Sequence, residues 1–370
     1  MTLVSRLSTL LIVLLLVGCS QEKVQVIEGP IYGTTYSIQF TEDVDKEETH
    51  KLVKAELDRI DMVFSTYKEG TEIQEINAGI RECITKTLNS LQDIPFLTDD
   101  GELWQWNGKE EIPNDIWKSI IYFHLEICSF PIKSGEQLLL QALYTIEQID
   151  KEIYEVEFTS EEMADLFDRS NKISELSLNG FKPFKTTELD LNSMKINKKI
   201  NIREYDFSAI AKGHAVDKIG ELLAKNGIFN YFIDIGGEIS INGTKFNKAW
   251  TWGINNPFNL NSDAYRAFKA PESGISIATS GEYRNPDHIW GEGPEDAASV
   301  TVIANNTAEA DAWATAIYAL GIEEGLKVAE RNGLAVFLIK EDGKTIESTM
   351  WGLKTFHPEQ ILEEIKEQIE

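Results

Sequence analysis

Asp311 and Thr315, within "EADAWATAIYALG", stand four residues apart, so on a helix they share one face just inside its start. A carboxylate and a hydroxyl are hard oxygen ligands. With a backbone carbonyl and phosphate oxygens they would complete the octahedral shell that Mg2+ prefers. The same two residues also suit a solvated helix face or cap contacts, so the pair needs support from elsewhere in the chain. A second candidate is the stretch "YDFSAIAKGHAVDKIGELLAKNG", residues 205–227. Its opening is unusual for a helix: Gly213 costs stability, and Lys212 places a cation at the end that already carries partial positive charge. Both choices suit the docking of an anion. A third is the loop "ATSGEYRNPDHIW", residues 278–290, which crowds Thr279, Ser280, Arg284 and His288 directly after a strand. Arg284 suits phosphate and His288 suits proton transfer near neutral pH, although Gly, Pro and Asn also make ordinary loops.

The elements that must position these residues follow from periodicity. "EKVQVIEG" and "GTTYSIQF" alternate as a strand pair, and residues 47–67 read as an amphipathic helix through Leu52, Val53, Leu57, Ile60 and Val63. Ala215, Val216, Ile219, Leu222 and Leu223 predict a helix that stops at Asn226-Gly227. "IFNYFIDIGGEISINGTKF" reads as a strand, a Gly-Gly break and a second strand ending on an Asn-Gly turn, followed by strands in "WTWGINNP" and "GISIATSGEYR". "AASVTVIANNT" is a strand running into a capping box, Asn306 with Glu309, and the helix after it is expected to end at Gly321. "LAVFLIKEDGKTIES" is a hairpin with Asp342-Gly343 at its tip, and "PEQILEEIKEQIE" a terminal helix. Residues from about 80 to 158 have a different texture, with a hairpin in "LTDDGELWQWNGKEEIP" and a helix near 137–149, and are read as an atypical insertion; another helix is expected from Ser160 to about Ser177. Strands arranged in hairpins and separated by helices predict an α+β fold with largely antiparallel sheets. A doubly wound nucleotide fold is disfavoured, because no glycine-rich fingerprint follows the first strand and "DIGGEI" turns into another strand.

The chain has 370 residues and a formal charge of −26, enough length for a substantial core and a poor charge for binding nucleic acid. Its field also repels phosphates, so a nucleotide ligand would need a bridging cation. Residues 6–19, "RLSTLLIVLLLVGC", give a basic start, an apolar core too short to span a bilayer and a small residue before Cys19. This resembles a lipoprotein signal, residues 1–18, whose removal leaves Cys19 lipidated and the protein anchored on the extracytoplasmic side of a membrane. Cys83 and Cys128 have no metal-knot spacing, and His50, His124, His214, His288 and His357 no paired zinc spacing.

In their order along the chain, "YGTTYSI", "IDMVFSTYKEGTEIQEIN", "SAIAKGHAVD", "IDIGGEI", "ATSGEYR" and "ADAWATAIYALG" resemble the ApbE family, the FAD:protein FMN transferases, across residues 31–77 and 160–350. The resemblance implies a T-fold-like α+β fold over residues 19–370 and a Mg2+-dependent transfer of FMN from FAD to a Thr or Ser hydroxyl of a target flavoprotein, releasing AMP. By the same resemblance the metal would be held by the Ala209 carbonyl, Asp311 and Thr315. Lys212 would face the FAD diphosphate, Gly213 would let backbone approach it, and Asp206 would hydrogen-bond the flavin nucleotide. Tyr32 and Tyr67 would contact the flavin, with Ile289 on the same side. His288 would help the target hydroxyl lose its proton, or stack on the flavin, and Asp311 would act in catalysis through the metal. Family members are commonly exported lipoproteins, in keeping with Cys19. Two departures stand out: Lys182 occupies the place of a family aspartate, and "HIWGEGPED" replaces the family's Ile-Asp-Pro continuation. A Mg2+-dependent FAD pyrophosphatase and a non-catalytic flavin-binding lipoprotein are the alternatives on the same fold.

Overall fold

A computed structural model describes residues 23–79, 206–284 and 297–355, residues 82, 149 and 289, and the strands 95–97, 103–105, 127–131, 187–190 and 195–199. Cys19, Cys83, Lys182, His288, the helices expected near 137–149 and 160–177 and the terminal helix from Pro358 lie outside the described residues, apart from residue 149.

In chain order the elements are β1 (Gln25–Ile31), β2 (Thr34–Phe40), α1 (Lys46–Phe64), β3 (Pro95–Leu97), β4 (Leu103–Gln105), β5 (Ile127–Pro131), β6 (Thr187–Asp190) and β7 (Lys195–Lys199). There follow α2 (Ala211–Lys225), β8 (Tyr231–Ile235), β9 (Glu238–Asn242), β10 (Thr251–Ile254), β11 (Arg266–Lys269), β12 (Ile275–Ser280) and β13 (Ala297–Ala304). The last are α3 (Thr307–Arg331), β14 (Ala335–Lys340), β15 (Thr345–Glu347) and α4 (Thr349–Thr355). Eight strands form one sheet in the order β1-β2-β8-β9-β12-β13-β14-β15, and every pairing in it is antiparallel. The α+β, antiparallel expectation therefore holds. The hairpin expected in "LTDDGELWQWNGKEEIP" pairs β3 with β4, while β5 pairs with β7, so the segment read as an insertion shares a small sheet with residues 195–199.

Side-chain alternation assigns the two faces of the main sheet to different partners. On β14, Val336 and Leu338 join the core beneath α1, α2 and α3, whereas Ala335, Phe337 and Ile339 join a second core on the opposite face. The apolar stripes of α1 (Val53, Leu57, Ile60, Val63) and α2 (Ala215, Val216, Ile219, Leu223) lie in the first of these. Each large side chain removed from water there contributes about 2 kcal/mol before entropic costs. The second core is aromatic, with Trp252 stacked on Phe268 at 4.6 Å and Trp351 edge-on to both.

The ends of the helices are set by local chemistry. Asp45 caps α1 by accepting from the Glu47 and Glu48 amides at 3.0 and 3.1 Å. α2 ends at Asn226, and Gly227 takes the left-handed conformation there, φ 79°. The start of α3 follows the expected cap, with Asn306 accepting from the Glu309 amide at 2.8 Å. Its end corrects the sequence reading. Gly321 breaks the helix with φ 78° and ψ 173°, but a second helical run continues to Arg331 before the chain turns into β14. The glycine is a joint between two helical runs instead of a terminus.

Candidate functional site

The candidate site is built where α2 crosses α3. Gly213 presses directly on the first turns of α3: a methyl group in its place would lie 2.7 Å from the Asp311 Cβ and collide with the Thr307 carbonyl. The glycine thus serves the close approach of two helices, a role that the sequence reading did not give it. The crossing is held by carboxylates on either side. Asp217 of α2 accepts from the Thr307 and Ala308 amides at 2.8 and 2.9 Å and so caps α3. In the other direction, Asp311 Oδ2 of α3 accepts from the Gly213 amide at 2.9 Å.

That last bond fits the start of α2. Ile210 is the N-cap, so Gly213 is the third helical residue and its amide is one of the donors that every helix start leaves without an intrahelical acceptor. It donates to Asp311, and the neighbouring bonds run from His214 to Ile210 and from Ala211 to Phe207. The Ala209 carbonyl lies just before the cap, outside this ladder. One contact therefore satisfies an orphan amide and orients the Asp311 carboxylate at the helix start that Ala209 precedes.

Thr315, one turn beyond Asp311, meets the Ser280 hydroxyl at 3.0 Å, where β12 ends. A threonine that offers a lone pair to a cation must direct its proton elsewhere, and Ser280 is placed to take it. Asp311 is 2% exposed. Burial, then the charge of Glu238, pushes its carboxyl well above the ordinary carboxylate range, against the pull of Lys212. Among the described residues no group of three or more His, Cys, Asp and Glu side chains is placed to hold a metal ion. A cation here would depend on hydroxyl and carbonyl oxygens as well, and the donor types of Asp311, Thr315 and Ala209 fit Mg2+.

The structure gives Lys212 a partner that sequence reasoning missed. Its Nζ donates to Glu238 Oε1 at 2.5 Å, and the Glu238 side chain is 1% exposed. Burial opposes the charge on Lys212, but Glu238 and Asp311 outweigh it and hold the ammonium above the usual lysine range. The other oxygen of Glu238, Oε2, is buried with no hydrogen-bond partner. "DIGGEI" contained the signal, since the glutamate that opens β9 directly follows a Gly-Gly turn with φ 71° and 113°. The turn is held by Asp234, which accepts from the Gly237 amide at 2.9 Å, and by Arg284, which donates to the Gly236 carbonyl at 3.2 Å.

The remaining expected residues lie on several elements. Tyr32 occupies the β1–β2 turn at φ 49°, a conformation unusual outside glycine, and its hydroxyl donates to the Leu57 carbonyl at 2.9 Å. Burial, followed by the charges of Asp61, Glu56 and Asp58, holds that phenol above the ordinary tyrosine range. Tyr67 is 94% exposed just beyond α1. Asp206 is exposed, and its Oδ1 accepts from the Ser208 amide and hydroxyl at 2.8 and 2.5 Å. Ile289 is buried and its amide donates to Glu282 at 3.2 Å.

With this geometry in hand, residues 184–338 match the model of the ApbE family. An FAD:protein FMN transferase of Escherichia coli strain K12 is 25% identical over 373 aligned residues, taking in 94% of this chain and 95% of the relative. The chain is thus similar to the FAD:protein FMN transferases over most of its length, and to the ApbE family model over residues 184–338. A second relative, the FAD:protein FMN transferase of Haemophilus influenzae, is 26% identical over 91% of this chain and 92% of its own length. Among solved structures, the flavin transferase ApbE of Vibrio cholerae superposes with a TM-score of 0.55 at 22% identity, covering 90% of this chain and 99% of the other. The ApbE protein of Thermotoga maritima gives 0.56 at 20% identity, over 90% of this chain and 100% of its own. The fold is the ApbE fold.

Proposed function

We propose that this chain is an ApbE-family enzyme that transfers FMN from FAD to a Thr or Ser hydroxyl of a target flavoprotein, with AMP as the second product and Mg2+ as cofactor. The observation that carries the reading is the Gly213–Asp311 contact, which fixes the Asp311 carboxylate at the helix start that Ala209 precedes, with the Thr315 hydroxyl one turn further along α3. The likeness to FAD:protein FMN transferases supports it.

In this reading Ala209, Asp311 and Thr315 hold Mg2+, which when bound supplies charge neutralisation to the diphosphate. The target hydroxyl oxygen forms the new bond to the FMN phosphorus as the bond to AMP breaks, and the hydroxyl proton passes to His288. Lys212 adds positive charge at the same helix start, and Ser280 fixes the direction of the Thr315 hydroxyl. Tyr32, Tyr67, Asp206 and Ile289 are assigned to the flavin side, and Cys19 to a lipid anchor on the extracytoplasmic face of a membrane. Among the described residues no helix is long and apolar enough to cross a membrane.

The purified protein, incubated with FAD, Mg2+ and a peptide bearing the acceptor threonine, should release AMP and yield a flavin-labelled peptide, and Asp311→Asn should abolish both. AMP without labelled peptide would identify a pyrophosphatase; neither product would identify a non-catalytic relative. Cys19→Ser should move the protein out of the membrane fraction, and retention there after a high-salt wash would refute the anchor.

A further inference from the structure

Two buried carboxylates and one ammonium meet at this helix crossing. Lys212 immediately precedes Gly213, whose amide is bonded to Asp311 Oδ2, so the ammonium is tethered within one residue of the carboxylate expected to bind the cation. Its hydrogen bond nevertheless goes to Glu238, on the first residue of β9, at 2.5 Å, while Asp311 lies within its electrostatic reach. Glu238 is 1% exposed, and its second oxygen has no partner at all. A buried ion pair kept only for stability would be expected to satisfy both oxygens, since an unpaired buried oxygen is costly. The trio also carries a surplus negative charge, because the carboxylates outnumber the ammonium.

We propose that Glu238 is a positioning residue: it holds the Lys212 ammonium off Asp311, so that the Asp311 carboxylate stays open to a divalent cation and Lys212 stays available to an anionic ligand. The proposal rests on the reading of Asp311 as a metal ligand. Without Glu238, the nearest counter-ion for the buried Asp311 is Lys212, and a protein ammonium would compete for the place of the metal. Opposite charges at such separations interact strongly enough inside a protein to change cation affinity by an order of magnitude.

The two members of the pair therefore have opposite effects on the metal. Mg2+ titrated calorimetrically into the full chain, in the absence of FAD, should bind Glu238→Gln about tenfold more weakly than the wild type. Lys212→Met, which removes the competitor and leaves both carboxylates, should bind Mg2+ more tightly than the wild type. Glu238→Asp, which keeps the charge on a shorter arm, should recover part of the affinity. A purely structural ion pair would weaken binding in both Glu238→Gln and Lys212→Met, through loss of fold, and that result would overturn the proposal. So would wild-type affinity in a folded Glu238→Gln, checked by circular dichroism and by thermal unfolding in chelator. If Glu238→Gln does not fold, Lys212→Met decides: affinity equal to or below the wild type rejects the proposal. No Mg2+ binding by the wild-type protein would instead reject the metal reading beneath it.

Discussion

The two faces of the main sheet bury their side chains by different rules. Beneath the helices, Asp217, Asp311 and Glu238 each accept from a particular donor, although the His214 ring and one Glu238 oxygen are buried unpaired, and the helices approach closely enough to require Gly213. On the other face Trp250, Trp252, Phe268, Phe337 and Trp351 pack as rings, and the indole N–H groups of all three tryptophans are buried without an acceptor. The aromatic face accepts that cost because ring burial outweighs it, and nothing there needs a defined polar geometry. The helical face gives up smooth apolar packing in order to fix a few oxygens in place. Stability and chemistry are thus separable in this fold, one on each side of the same strands.

The largest effect that tests this division should come from Trp351→Ala. Loss of this fully buried ring should cost about 3–5 kcal/mol in urea unfolding, while Mg2+ affinity of the folded fraction stays unchanged. A selective loss of Mg2+ binding with stability intact would break the comparison.

Next comes His214, which is 1% exposed beside Phe64, with neither ring nitrogen hydrogen-bonded. Burial, helped by Lys218 and Arg59 and opposed by Glu56, pushes its pKa down from 6.5 to about 4. Because the unfolded chain takes up this proton first, the stability contribution is complete above pH 6.5 and is lost as pH falls to about 4. The loss is on the order of 3 kcal/mol. His214→Leu should flatten the stability profile across that window; an unchanged slope would assign acid sensitivity to other groups.

Gly213→Ala should cost about 1–3 kcal/mol by overpacking the crossing and should also weaken Mg2+ binding. Gly352→Ala, in α4 where a methyl meets nothing within 4 Å, is the matched control and should be neutral or slightly stabilising. Equal behaviour of the two glycine variants would remove the steric argument for the site. Smallest is Ser280→Ala, which deprives the Thr315 hydroxyl of its partner and should weaken Mg2+ binding about tenfold with little change in melting temperature.

Much of the scaffold was legible because it is written locally. The periodicity of α1 and α2, the Asn306 cap, the Gly-Gly and Asp342-Gly343 turns and the strand alternation all depend on residues close in sequence. Gly321 was half legible: a left-handed glycine breaks a helix, but whether another begins beyond it depends on what the next turn packs against. α4 was missed because seven residues hold too little periodicity to stand out. At the site, Asp311 and Thr315 were visible as a helical pair, and the motif order pointed to Ala209 and Lys212. Glu238 stood in the quoted "DIGGEI", but its pairing with Lys212 was not visible, since the two lie 26 residues apart and only the fold brings them together. Gly213 stood out as an oddity, but its packing against α3 was not visible, because a close helix approach leaves no trace in one helix's own sequence. Cys19, Lys182 and His288 lie outside the described residues.

The order of strands in the main sheet bears on how the chain reaches this state. β1 and β2 pair at once, but the next neighbour of β2 is β8, with Tyr36 opposite Ile235. As the polypeptide emerges from its N-terminus, the first hairpin must wait for most of the chain before its open edge is covered. Such distant closure makes folding slow and leaves an adhesive border exposed in the interval. Truncated chains ending before residue 231 should therefore stick to one another through β2, even though they already contain a complete hairpin and α1.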